Sequence, residues 1–274
     1  MRAHLPTGAS EAWPPSEQEL LTALENGNLS VRFAPMLDMT AVSVAALEST
    51  LAWDRGGPDP VPAARIHMVV ERPGYTRIQR ALLDHVLRHA CARIAADAPT
   101  QATPALALLL ARTQFFDPTL FSAVRAALEE SGATPGQLEL GVDERAVLSD
   151  LPAAAEVLTR LRELGVRTNL RGFGALTLEQ LQSLPVSAVT VDFWNSRHDE
   201  RIESYVADSV RTAHAAGLPV TAARAETPAE IEFARALGCD RLANATAEHV
   251  PATPDAPAPL PLVDETRLPD TAVA

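Results

Sequence analysis

The chain has 274 residues, with 47% hydrophobic residues and a net charge of -12 at pH 7. That charge disfavours binding to a nucleic-acid backbone. No apolar run approaches the roughly 18 residues of a membrane span, and residues 1–15 lack the apolar core of a signal peptide. These exclusions predict a soluble cytoplasmic protein with neither a nucleic acid nor a membrane among its partners. Cys91 and Cys239 are too few for a disulfide framework or a cysteine metal cage and read as buried thiols. All 23 basic residues are arginine, so lysine is missing as a general base or Schiff-base former. Arginine without lysine, together with abundant alanine, points to a high-GC bacterial genome.

Residues 1–15 are rich in proline and read as a loose segment. Ser16-Glu17-Gln18-Glu19 is a capping box that opens a helix running to about Asn26. Leu29 to Pro35 reads as a strand, Asp38 turns the chain back, and Ala41 to Trp53 reads as a second strand. So tight a turn makes the two antiparallel. Asp54 to Pro62 is a Pro/Gly-rich loop, and a long helix is predicted from Tyr75 to Ala95.

Strands and helices then alternate. Strands are predicted at Ala105–Leu110, Leu138–Val142, Val166–Leu170, Ala188–Phe193, Pro219–Ala223 and Arg241–Ala243. Helices are predicted at Pro118–Glu130, Leu151–Leu164, Leu176–Gln182, Glu200–Ala216 and Pro228–Leu237. Repeated β-α units imply a parallel sheet, and this many imply a TIM-like (β/α)8 barrel. The hairpin makes its first strand antiparallel. From Val250 the chain is rich in Pro, Ala and Asp and reads as a disordered tail. The predicted division is a flexible segment 1–15, a barrel over 16–248 and a tail over 249–274.

The stretch Gly165-Val-Arg-Thr-Asn-Leu-Arg-Gly-Phe-Gly174 organises this reading. Gly165 caps the preceding helix, a short strand follows, and the strand ends on Arg171. In a β/α barrel, chemistry sits at the C-terminal ends of strands. Arg171 and Gly172 therefore stand where catalytic residues would stand.

Several strings, in this order, resemble the EAL domain, the family of bacterial cyclic di-GMP phosphodiesterases. Phe33-Ala34-Pro35 resembles Y-Q-P, and Gln114-Phe115 with Asp117-Pro118 resembles R-Q-F-x-D-P. Leu138-Glu139-Leu140 starts like L-E-L-E-I-T-E. Leu184-Pro185-Val186 with Val191-Asp192 follows L-P-V-x-x-L-K-I-D. Glu226-Thr227 ends like A-E-G-V-E-T, and Leu237-Gly238-Cys239-Asp240 matches L-G-C-D. The resemblance covers about residues 16–248 and implies a barrel whose first strand runs antiparallel.

It also implies a cage of Glu, Asn and Asp side chains around divalent cations that activate water. In this sequence the signature Glu of E-A-L falls on Glu48, with Ser49-Thr50 in place of Ala-Leu. The Arg before the signature Trp falls on Ala52, with Trp53 kept. The Asn of V-N-L-S falls on Leu109 and the second Glu of L-E-L-E on Gly141. The Asp pair of D-D-F-G falls on Arg171 and Gly172, and the loop after Gly174 is about two residues shorter. The Lys of K-I-D falls on Thr190, the first Glu of A-E-G-V-E on Ala223, and the late Gln on Ala243. Leu, Gly and Ala cannot coordinate a hard cation, and even a supporting partner is worth about 10–100-fold. The resemblance therefore implies a degenerate member without metal, cofactor or hydrolysis.

The vestigial site is expected to comprise Glu48, Arg112, Arg171, Asp192, Arg224 and Glu226. Arg112, Arg171 and Arg224 at strand ends could bind a phosphate or pair with Glu48 and Asp143. Arg171 in particular is expected to replace the lost cations as the countercharge of Glu48. Asp192 and Glu226 are expected to be structural. Trp53 and Trp194 read as packed residues of core or rim, with base stacking as the alternative. His85 and His89, four apart on the long helix, read as a surface pair without a third ligand. The resulting expectation is a catalytically inactive regulatory or protein-interaction module. Its partner would be an unidentified protein, with a second copy of the chain as one candidate and cyclic di-GMP not expected. The alternatives are a metal-independent receptor for cyclic di-GMP or another nucleotide, and an enzyme of relocated chemistry.

Overall fold

The computed structural model describes residues 14–41, 43–56, 60–72, 74–97, 105–194 and 196–243. Most of the expected N-terminal segment and all of the expected tail lie outside the described residues. The elements, in chain order, are α1 (Glu17–Glu25), β1 (Leu29–Asp38), β2 (Val44–Trp53), β3 (Val61–Pro62), α2 (Ala63–Val70), α3 (Thr76–Asp97), β4 (Ala105–Leu110), α4 (Arg112–Phe115) and α5 (Leu120–Ser131). They continue with β5 (Leu138–Asp143), α6 (Glu144–Ser149), α7 (Leu151–Glu163), β6 (Arg167–Arg171), α8 (Leu178–Ser183), β7 (Ala188–Asp192), α9 (Glu200–Ala215), β8 (Val220–Ala223), α10 (Pro228–Ala236) and β9 (Arg241–Leu242).

The sheet runs β1-β9-β8-β7-β6-β5-β4-β2, and a further β1–β2 pairing closes it into a barrel. β3 hangs on β2 outside the ring. β1 is antiparallel to both its neighbours, β2 and β9, and every other ring pairing is parallel. The barrel with an antiparallel first strand is therefore the fold of the chain. The hairpin that reverses β1 is tied by Asp38, whose Oδ1 accepts the N–H groups of Thr40 at 2.8 Å and Ala41 at 2.7 Å. The Ala41 N–H and the Thr40 hydroxyl hold the Asp38 carboxyl below its usual range against the opposing effect of burial.

Caps set the helix starts. Ser16 and Glu19 form the predicted capping box, with Ser16 N–H on Glu19 Oε2 at 2.7 Å. Thr227 and Glu230 form a second box before α10, with Pro228 in its first turn. Gly165, at φ +79°, lets the chain leave α7 in a left-handed turn. The outer sides of the strands and the inner faces of the helices share one large core that includes Phe115, Phe173 and Phe193. A second core joins α1, α2 and α3 to β1 and β2. Cys91 and Cys239 are buried thiols, pushed by that burial up to about 11 and about 12, so both are protonated at neutral pH.

Most predicted elements are found within one to three residues of their expected ends. Three corrections stand out. The second strand begins at Val44 rather than Ala41, because the turn anchored on Asp38 occupies Met39 to Ala41. β3 and α2 lie where the reading assigned a loop and then no element. α6 follows β5 immediately, capped by Asp143, whose Oδ1 accepts the Arg145 N–H at 2.8 Å.

The barrel interior is unusual for its polarity. Paired strand residues face the same side, so Glu139, Arg167, Asn169, Thr190, Thr221 and Arg241 share it. Small residues, Ala46, Ala107, Ala223 and Ala243, pack there with Met36. Glu139, 2% exposed, accepts Asn169 Nδ2 at 2.9 Å and Arg241 Nη1 at 3.2 Å, with Arg167 Nη2 at 3.8 Å. Asn169 Oδ1 in turn accepts the Thr190 hydroxyl at 2.8 Å. The network ties β5, β6, β7 and β9 together from within. Removing its central carboxylate leaves buried donors and cations unpaired. Glu139→Ala is expected to lower stability by about 3–5 kcal/mol in urea melts. A loss smaller than about 1 kcal/mol would mean that the network contributes little.

Candidate functional site

The ends of β2, β4, β5, β6, β7 and β8 surround the barrel mouth. Glu48 on β2 and Arg171 at the end of β6 reach across it, and Arg171 Nη1 donates to Glu48 Oε1. Both side chains are largely removed from solvent, at 12% and 19% exposed. A carboxylate stripped of water needs a countercharge, and the planar guanidinium supplies one.

The neighbouring positions make this pair sterically feasible. A β-carbon built on Gly141 would lie 2.9 Å from Arg171 Cδ and 3.2 Å from Cγ. The arginine stem thus fills the space that a side chain at 141 would need. Leu109, beside Gly141 on β4, and Ala223 on β8 bring no polar atom. α2 lays His67 near the pair. Burial, and then the positive charge of Arg171, lower the His67 pKa against the opposing pull of Glu48, so the ring is neutral at pH 7.

The loop after β6 has its own anchor. Glu144, 4% exposed, accepts the N–H groups of Gly174 at 3.2 Å, Ala175 at 3.0 Å and Leu176 at 2.9 Å. A β-carbon on Gly174 would overlap the Tyr205 hydroxyl and lie 2.9 Å from Ser209 Oγ, so a side chain there would have to displace Tyr205. Burial, and then the Glu144 charge, push the Tyr205 pKa up.

A second constellation sits on the rim. Asp192 Oδ2 accepts Arg224 Nη1 at 3.0 Å, and Asp192 Oδ1 accepts the Trp194 backbone N–H at 2.9 Å. The Arg224 guanidinium lies 4.9 Å from the Trp194 ring centroid.

The structure therefore brings Glu48 to Arg171 and Asp192 to Arg224, and separates the other expected residues. Arg112 points to Ser149 Oγ, at 3.3 and 3.4 Å, and its N–H donates to Glu71 at 2.6 Å. Asp143 takes Arg145 at 2.9 Å through both oxygens, a partner two residues away rather than a strand-end arginine. Burial alone would raise the Asp143 pKa, but these hydrogen bonds from Arg145 outweigh it and hold the carboxyl low. Glu226 is exposed, and its N–H donates to Glu230. Trp53 is buried under Arg55, at 4.5 Å. His85 and His89 lie 4.2 Å apart between centroids with their rings tilted by 48°; His85 is half-buried rather than on the surface, and its pKa is lowered to about 4 by burial first and then by His89. Among the described residues no group of three or more His, Cys, Asp or Glu is placed to hold a metal ion. The mouth, with Glu48 already paired to an arginine, does not fit a divalent cation cage.

The family model described as "EAL domain" matches residues 17–243. This chain belongs to the EAL domain family. An uncharacterized signaling protein of Caulobacter vibrioides is 29% identical over 231 residues, which span 82% of this chain and 28% of that protein. The cyclic di-GMP phosphodiesterase NbdA of Pseudomonas aeruginosa is 28% identical over 242 residues, 82% of this chain and 29% of that protein. The chain thus spans under a third of the length of these curated relatives. Among solved structures, the PaMucR phosphodiesterase in complex with c-di-GMP is 26% identical, with a TM-score of 0.77 over 82% of this chain and 93% of that one. That complex corrects the expectation that set cyclic di-GMP aside as a partner: a related EAL domain of the same fold holds it. The expectation weighed the losses at positions 52 and 243, both alanine here, and at the metal positions above the scaffold that remains.

Sequence reasoning missed the three roles of Gly141, Glu144 and His67 in this EAL domain. Glu144 stands at the last position of the string that resembles L-E-L-E-I-T-E, which was a usable signal. His67 lay in a stretch with no assigned element, and the coupling of Gly141 to Arg171 joins residues 30 positions apart.

That coupling predicts a change of sign. Gly141→Ala is expected to destabilise the protein by roughly 1 kcal/mol through crowding against the Arg171 stem. In an Arg171→Ala background the same change is expected to stabilise by about 0.5–1 kcal/mol, since alanine suits a strand better than glycine. Denaturant melts of the two single variants and the double variant measure this, and the same sign in both backgrounds would refute it.

Proposed function

We propose that this EAL domain serves cyclic di-GMP signalling without hydrolysing the dinucleotide: it recognises the ligand at the barrel mouth and acts through a protein partner. The observation that carries the reading is the Glu48–Arg171 pair seated over Gly141. Hydrolysis in the resembled family requires cations held by several carboxylates. Here the surviving carboxylate is neutralised by the protein's own cation, and Leu109, Gly141 and Ala223 offer no ligand. The kinship with the PaMucR phosphodiesterase, whose structure is a c-di-GMP complex, supports cyclic di-GMP as the ligand class. The cytoplasmic placement, the barrel limits of 16–248 and a second copy of the chain as one candidate partner belong to the same proposal.

Two measurements on the full chain test it. Incubation of cyclic di-GMP with Mg²⁺ or Mn²⁺ is expected to release no linear product above the level given by Glu48→Ala. Calorimetric titration with cyclic di-GMP in the presence of a chelator is expected to show saturable binding. Metal-dependent product that disappears in Glu48→Ala would refute the loss of hydrolysis. Titration without saturation would refute recognition of the dinucleotide.

A further inference from the structure

We propose that Trp194 and Arg224, held by Asp192, form a stacking platform for a guanine base at the rim of the barrel mouth. The inference rests on the reading that this mouth takes cyclic di-GMP and names the residues that would hold one of its bases. Trp194 follows β7 and Arg224 follows β8, adjacent strands in which Asp192 pairs with Ala223. The three residues pin one another. Asp192 receives the Arg224 guanidinium on one oxygen and the Trp194 backbone N–H on the other, and the guanidinium lies over the indole.

Two features go beyond an ordinary rim ion pair. First, Trp194 is 53% exposed, although an indole contributes most to stability when it is buried. Second, Arg224 has φ +56° and is the one non-glycine residue with positive φ among the described residues. In the resembled string A-E-G-V-E-T this position is glycine, for which a left-handed backbone is easy. A side chain in that conformation strains the backbone, and such strain persists where the surroundings over-determine it. A simple tie between β7 and β8 needs neither an exposed indole nor an arginine at a left-handed position.

The chemistry suits a nucleobase. Flat bases stack on aromatic rings and on guanidinium planes, and tolerate either. The Trp194–Arg224 pair offers both surfaces, and the arginine adds a positive charge beside the phosphates of a bound cyclic dinucleotide. Asp192 holds the Arg224 guanidinium and the backbone from which Trp194 projects before ligand arrives, which lowers the ordering needed on binding.

The test uses the full chain, cyclic di-GMP and a chelator, read by calorimetry and by tryptophan fluorescence. Wild type is expected to bind with quenching of the indole. Trp194→Ala is expected to weaken binding about tenfold or more. Trp194→Phe is expected to keep the affinity within about threefold, because the ring still stacks, while losing most of the quench. Arg224→Gly is expected to raise the melting temperature, by relieving the backbone, and to weaken binding. Should wild type bind while Trp194→Ala and Arg224→Gly match its affinity, the platform is overturned and ligand recognition stands. Should wild type fail to bind, both fall together.

Discussion

The pairing of Glu48 with Arg171 is the interaction on which the mouth of this barrel depends. Glu48 sits on β2 at 12% exposure, and leaving it charged without a partner there would be costly. Arg171 meets that need from the far side of the ring, and it can do so only because position 141 has no side chain. One substitution supplies charge and the other supplies room. Each is hard to accommodate alone, so the two are best read as a single physical change. His67, carried in on α2, stays neutral beside them because burial and Arg171 both disfavour its proton.

Beneath the mouth, the barrel interior is organised by the same logic of paired charge. Glu139 collects Asn169, Arg167 and Arg241, and Asn169 passes the chain of hydrogen bonds on to Thr190. Thr190 is the position where the resembled motif has lysine, and its hydroxyl now closes an internal network instead of facing the mouth. The alanines that line the rest of the interior leave space for these long polar side chains. The interior is a structural polar core, and the chain around it keeps the EAL fold.

Much of the fold was legible because its signals are local. Ala105–Leu110 is an unbroken apolar strand, and the boxes at Ser16–Glu19 and Thr227–Glu230 mark helix starts within four residues. The hairpin of β1 and β2 was legible from the shortness of its turn. α2 was not: it has eight residues, follows a Pro/Gly-rich loop, and ends on the β-branched pair Val69-Val70. In the site, the countercharge for Glu48 could be read from an arginine at a strand end. The true partner of Asp143 was Arg145, two residues on, because Asp143 caps α6 and that helix had not been foreseen. The strain at Arg224 is a backbone property that shows in sequence only as a non-glycine residue at a glycine position.

On the function proposed for this EAL domain, an internal arginine stands in for the cation and the barrel holds a ligand rather than cleaving it. The central claim is that Arg171 has taken the place of the metal. Titration of the full chain with Mn²⁺ at neutral pH, with the free ion counted by electron paramagnetic resonance, tests it most directly. The account predicts a free-ion signal equal to that in buffer up to millimolar Mn²⁺. A saturable Mn²⁺ site that disappears in Glu48→Gln would contradict it.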